Sequence, residues 1–282
     1  MTHWRDQRGI ALASVLWGMA ALSLIAAAML SSSMNAVHVA RNDWAQLQAE
    51  NAADTAIQRA IFSLFDPRAD RRLPVDGTTQ SLTVNGQTVS VSIQDEAGRI
   101  DVNYAGRNVL RDVFKAAGAP AQDADALADR VADWREPGSA HNLNGATADD
   151  YHRAGDSYLP RGHPFQSTGE VGLVMGMTPA LFARIEPALT VYSHSPNFDM
   201  RAAPKEVLMA IPGMDEGKAD EMVSYRAPPP AGAGLYYGLV NPIGHAFTIT
   251  ATTSEGGAHL SRQAIIMVSG DPAHPVWVLD WK

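Results

Sequence analysis

From Ile10 to Leu30 every residue is apolar or small, Ser14, Gly18 and Ser23 being the least apolar, and no formal charge falls between Ile10 and Ala40. At 1.5 Å of rise per residue this run spans roughly 30 Å, the hydrocarbon thickness of a bilayer. Beyond it the pattern becomes amphipathic. Val37, Ala40, Trp44 and Leu47, then Ile57, Ile61, Leu64 and Phe65, recur at steps of three and four, while Arg41, Asp43, Gln46, Gln48 and Glu50 take the other faces. Asp66-Pro67 stops the pattern, because proline disfavours helix in the residue before it. The pattern predicts one helix from about Ile10 to Phe65, apolar in its first half and amphipathic in its second.

Alternation then changes to a period of two. Leu82-Thr83-Val84, the hairpin dipeptide Asn85-Gly86 and Val89–Ile93 predict two antiparallel strands. Strand pattern returns only at Phe247–Thr252, a Ser254–Gly257 turn, Ala264–Val268 and Val276–Leu279. Helical patterns fill the interval, and Pro228-Pro229-Pro230 with Gly232, Gly234 and Gly238 mark a flexible return. The expected fold is α+β: a long N-terminal helix packed on an antiparallel sheet, with a large helical domain inserted between strands.

The insertion repeats itself. Ile100–Ala105 followed by Val109-Leu110 matches Phe198–Ala203 followed by Val207-Leu208, at an offset of 98. Asp101, Asn103 and Asp199 suit the turn into a helix, where a short polar side chain accepts from backbone N–H groups. Ile211-Pro212-Gly213-Met214-Asp215-Glu216-Gly217, with Ala219, Met222, Val223 and Arg226, has the form of a helix-hairpin-helix. Gly176-Met177-Thr178-Pro179 before Leu181–Ile185 is a further turn of this kind. In DNA-binding versions such a hairpin offers backbone N–H groups to phosphates. Here Asp215 and Glu216 repel phosphate and Lys218 does not offset them, so the expected role is packing.

Composition narrows the function. The 282 residues carry 22 Lys+Arg against 30 Asp+Glu, a net charge of −8, and no cysteine. Thiolate chemistry, disulfides and Cys-ligated metals are excluded. The acidic balance argues against nucleic acid. No P-loop, G-x-S-x-G or H-E-x-x-H occurs, so no enzyme is expected. Asp123, Asp125, Asp129, Asp133, Glu136, Asp149, Asp150 and Asp156 crowd one stretch. A solvated helix face, with Asp125 and Asp129 four apart, is the default reading, and an oxygen-rich calcium loop is the other.

Arg5 and Arg8 precede the apolar run and place the N-terminus in the cytoplasm, with the bulk of the chain outside. A signal peptide and a plain signal anchor are both open readings. Arg8-Gly9-Ile10-Ala11-Leu12 is more specific: it resembles a class III prepilin leader, cut after Gly9 on the cytoplasmic side so that the apolar helix is kept. Gly9 would leave the backbone open to the peptidase and interrupt the helix. Pilin-like subunits usually carry Glu at mature position five, where this chain has Ser14. A buried carboxylate without a partner is costly, so Ser14 suits a subunit with no neighbour above it.

These residues together resemble the K-type minor pseudopilins of type II secretion. The resemblance runs through Arg8–Leu12 with Leu16-Trp17, then Asp95-Glu96-Ala97-Gly98-Arg99-Ile100-Asp101-Val102-Asn103. It continues with Ala132-Asp133-Trp134, Gly145–Tyr151, Gly169-Glu170-Val171, Val174–Met177, Ile185–Val191 and Phe198–Arg226. It implies a non-enzymatic subunit with a pilin-like fold. Residues 1–9 would be the leader, 10–66 the spine (10–30 transmembrane), 74–103 the first part of the sheet, 104–244 the inserted helical domain and 245–282 the returning strands. Prepilin peptidase would cut between Gly9 and Ile10, with Ile10 then N-methylated. The partners implied are I- and J-type minor pseudopilins, prepilin peptidase and inner-membrane lipid. The place implied is the pseudopilus tip, with the head in the periplasm. Calcium is associated with the family. This chain departs from the family pattern at Arg135-Glu136-Pro137-Gly138 and Thr147, leaving Asp133, Asp149 and Asp150 as candidate ligands. The alternative class is a membrane-anchored helix-hairpin-helix DNA receptor.

Overall fold

The computed structural model describes residues 8–68, 71–136, 142–226, 241–253 and 260–282, without the side chains of 8–11, 32, 33, 35 and 36. The first seven leader residues, Pro137-Gly138, the Pro228–Gly238 return and the Ser254–Gly257 turn lie outside the described residues.

Helix α1 runs from Arg8 to Leu64, 57 residues or roughly 85 Å. It begins before Gly9, so Gly9 does not interrupt it; one glycine in a long helical run costs about 1 kcal/mol and does not break it. It ends one residue short of Phe65. There Phe65 N–H bonds the Phe62 carbonyl and Asp66 N–H the Ser63 carbonyl, and the Asp66 carboxylate then accepts Arg68 N–H.

The second half of α1 packs on a five-stranded sheet. The strands are β1 (Gln80–Val84), β2 (Gln87–Asp95), β5 (Ala246–Thr253), β6 (Leu260–Val268) and β7 (Val276–Trp281), in that spatial order. All neighbours are antiparallel. The β1–β2 turn holds Asn85 and Gly86 at φ of 51° and 83°, the pair of positive angles that a two-residue hairpin requires. Val89, Val91, Ile93, Phe247, Ile249, Ala251, Ala264, Ile266 and Val268 share one face of the sheet. Against them lie Ala52, Ala53, Ala56, Ile57, Ala60, Ile61 and Leu64 of α1. The contact face is therefore mostly alanine, which lets the helix approach closely. The larger apolar residues expected on it, Val37, Trp44 and Leu47, are exposed, because contact with the sheet starts only at Ala49. Arg59 Nη1 donates to the Thr83 carbonyl at 2.8 Å, and Arg262 of β6 reaches Glu50 and Asp54, tying the two layers.

Between β2 and β5 the chain builds a second core. Its elements are β3 (Ile100–Asp101), α2 (Arg107–Ala116), α3 (Ala121–Arg135), α4 (Ala148–Ala154), α5 (Pro179–Ile185), β4 (Leu189–Thr190), α6 (Lys205–Met209) and α7 (Glu216–Ser224). Leu110, Val113, Phe114, Leu127, Val131, Trp134, Tyr151 and Ile185 are buried at its centre. Trp134 stacks on Phe165 with centroids 6.0 Å apart and meets Tyr151 edge-on at 5.7 Å, geometries favoured by the ring quadrupole. Burial pushes the Tyr151 hydroxyl up to about 12, and it accepts Met175 N–H at 2.8 Å. One short strand lies apart from the five-stranded sheet, in which residues 74–103 are expected. β3 and β4 form a parallel two-stranded ladder, Ile100 opposite Leu189 and Asp101 opposite Thr190.

Candidate functional site

Leu12–Ser31 of α1, with a mean hydropathy of 2.0 and none of it buried, is by length and composition able to cross a membrane. Leu16, Trp17, Leu22, Ile25, Met29 and Leu30 all stand exposed on it. In water this surface is unfavourable by about 25 cal/mol per Å², so it calls for lipid or partner helices.

The sheet and the helical body meet at a narrow neck. After β2, Asp95 accepts Ala97 N–H at 2.9 Å and starts a single 3-10 turn, Glu96–Gly98. Asp199 N–H bonds the Ala97 carbonyl at 2.7 Å, and Gln94 Nε2 donates to the Ala202 carbonyl at 2.7 Å. A side chain on Gly98 would overlap the Ala202 backbone. The end of β2 and the 3-10 turn are thus clamped to the 199–203 turn of the helical body. The repeat belongs to the same clamp. Asp101 accepts Asn103 N–H and Asp199 accepts Arg201 N–H, each at 2.9 Å, and each turn leads into a helix, α2 or α6. Asp101 is buried, which raises its carboxyl above the usual range despite N–H bonds from Asn103 and His194.

His245 closes the other side of the neck, its Nδ1 2.8 Å from Asp95 Oδ2. That hydrogen bond raises the imidazole above its ordinary value, with Asp199 adding to it. A raised His contributes stability that is complete below its unfolded value near 6.5 and is lost as pH climbs through the folded value. Melting between pH 6 and 8 should therefore fall by roughly 1–3 °C more in the natural chain than in His245→Gln. Equal pH slopes would remove the pair from the neck's energetics.

Three hairpins share one plan in the helical body. Gly118, Gly176 and Gly213 have φ of 92°, 86° and 82°, and two residues later Pro120, Thr178 and Asp215 are the N-caps of α3, α5 and α7. Sequence reading found the second and third. The first, Gly118-Ala119-Pro120, was legible as the same glycine-to-cap spacing. In the third hairpin Asp215 accepts Lys218 N–H at 2.9 Å. Lys205 is held by Glu216 at 3.0 Å and Asp220 at 2.6 Å, and Lys218 by Asp215 at 3.0 Å. The lysines that a phosphate would need are already paired with carboxylates, which argues against a nucleic-acid interface.

The acidic stretch is not one solvated face. Asp129 is buried and ion-paired with Arg107, which holds its carboxyl below the usual range. Asp125, half-exposed, meets the same guanidinium at 3.3 Å. Of the three candidate calcium ligands, Asp133 accepts Asn142 and Ala146 N–H groups. Asp150 closes a capping box with Thr147 at the start of α4 and pairs with Arg153. Asp149 is exposed in the same first turn. Among the described residues no three His, Cys, Asp or Glu side chains converge to hold a metal ion. Asp133 and Asp150 do not fit a calcium ion as they stand, since oxygens committed to N–H donors are not free to replace its water, and Asp149 alone does not make a site.

Known proteins can be compared with this geometry. Residues 84–194 match the family model of the type II secretion system (T2SS), protein K. That segment runs from the β1–β2 turn through the neck, α2 to α5 and β4. A chain in the crystal structure of the GspK-GspI-GspJ complex from the enterotoxigenic Escherichia coli type 2 secretion system is similar in fold. The TM-score is 0.53 at 13% identity, over 85% of this chain and 94% of that one. No curated protein matches the chain closely enough in sequence to count as a relative. The family match covers residues 84–194 of the 282, and the structural likeness is one of fold: an N-terminal helix, an antiparallel sheet and further helices, the α+β arrangement expected.

Proposed function

We propose that this chain is a minor pseudopilin that caps the tip of a type II secretion pseudopilus and helps to start its assembly. The observation that carries the reading is the joining of three parts in one chain: an exposed apolar helix, its continuation packed on an antiparallel sheet, and a protein K domain clamped between adjacent strands. On this reading residues 1–9 are a leader, 10–66 the spine, 74–103 and 245–282 the sheet and 104–244 the inserted domain. Prepilin peptidase cuts between Gly9 and Ile10, and Ile10 is N-methylated. The apolar half of α1 waits in the inner membrane with the head in the periplasm. It then exchanges lipid for the helices of I- and J-type partners. The helical body adds bulk at the tip and blocks a further subunit, and Ser14 leaves no carboxylate in need of one. The subunit works by position, without catalysis.

The test is the mass of the mature N-terminus from cells with and without prepilin peptidase, followed by co-purification with I- and J-type subunits. The expected result is a start at Ile10, carrying a methyl group and dependent on the peptidase, and a ternary complex. An intact Met1, or cleavage beyond Leu30 that removes the apolar helix, would overturn the pilin-like reading and leave a shared head fold alone.

A further inference from the structure

Asp129 and Asp133 lie one turn apart on α3, both buried, and face the stretch from Asn142 to Ala146. Each of their four oxygens accepts at least one N–H. Asp129 Oδ1 accepts from Arg107 Nε. Its Oδ2 accepts from Arg107 Nη2 at 3.3 Å, Asn144 N at 3.2 Å and Asn144 Nδ2 at 3.0 Å. Asp133 Oδ1 accepts from Asn142 N at 3.1 Å and Asn142 Nδ2 at 2.7 Å, and its Oδ2 from Ala146 N at 3.2 Å. Gly145 fits only because it has no side chain, since a Cβ there would overlap the Asp133 carboxylate.

This is the geometry of a cation site with the cation's work done by other groups. A divalent ion would bind the same lone pairs, and N–H dipoles aimed at those oxygens point their positive ends where the ion would sit. The guanidinium supplies the charge and its fork meets the Asp129 carboxylate through two nitrogens. The two asparagines supply the remaining donors. We infer that Arg107, with Asn142 and Asn144, replaces a divalent cation in clamping the Asp129 and Asp133 carboxylates to the 142–146 loop, so that the head holds its fold without calcium. This holds whatever the chain's place in a secretion apparatus.

The experiment is thermal melting of the full chain in detergent, in EGTA and in millimolar calcium, for the natural chain and for Arg107→Gln. The natural chain should melt within about 1 °C in the two conditions. Arg107→Gln should melt several degrees lower in EGTA and recover part of the loss in calcium, which then has carboxylates free to take it. A structural calcium site filled a hundredfold above its dissociation constant would raise melting by roughly 5–10 °C. A rise of that size in the natural chain would overturn the inference. So would an Arg107→Gln chain as stable as the natural one in EGTA, or one that calcium does not help. Should Arg107→Gln fail to fold, the natural chain's indifference to calcium and the same pair of melts on Asn144→Ala carry the test.

Discussion

A Gly98→Val chain should lose about 3 kcal/mol or more of stability and melt roughly 6–12 °C lower. The new side chain would fall on the Ala202 carbonyl and the Ala203 nitrogen, which are backbone and cannot rotate away. Making room means separating the 3-10 turn from the 199–203 turn, and with it the Asp199–Ala97 and Gln94–Ala202 hydrogen bonds. Gly217→Ala is the control. It lies in α7, its nearest neighbour is Asp215 Oδ1 at 3.5 Å, and alanine is the better helix former. The control should be neutral or slightly stabilising. If the two variants melt together, the neck is not the clamp described.

Core truncations should act locally. Phe114→Ala in α2 should cost about 3–5 kcal/mol and Ile249→Ala in β5 about 2–5 kcal/mol, since both side chains are fully buried and leave cavities. The two cores share no residue. Amide exchange should therefore quicken in α2 and α3 for the first variant, and in β2, β5 and β6 for the second. Uniform quickening throughout the head in both variants would mean that the neck welds the two bodies into one cooperative unit.

Much of the layout was legible because long elements declare their period. The apolar run of α1, the Asn85-Gly86 hairpin and the alternation in β5 and β6 each extend over enough residues for a period to register. β3 and β4 are two residues each, too short for any alternation to be seen, and their pairing joins segments far apart in the chain. The sheet-facing side of α1 runs through Ala52, Ala53, Ala56 and Ala60 while Trp44 and Leu47 stay exposed, because close packing on a sheet selects small residues and size alone does not signal burial. Asp129 looked like a surface residue because its partner, Arg107, is 22 residues away and no local pattern links them. The glycines that matter most sterically, Gly98 and Gly145, are silent in sequence. What each avoids is contact with a segment distant in the chain or with a carboxylate on another element.

The neck also bears on the order of events during folding. Asp95 and His245 touch although 150 residues separate them, and the β2–β5 ladder begins beside that contact. Bringing two strand ends together across an unstructured loop of such length is entropically costly, and pairings of this kind slow folding. A helical body that forms first delivers its two ends side by side, so β5 meets β2 as if across a short hairpin. In a chain that folded in that order, the insertion would be the scaffold on which the sheet closes, and the β2–β5 ladder would form late.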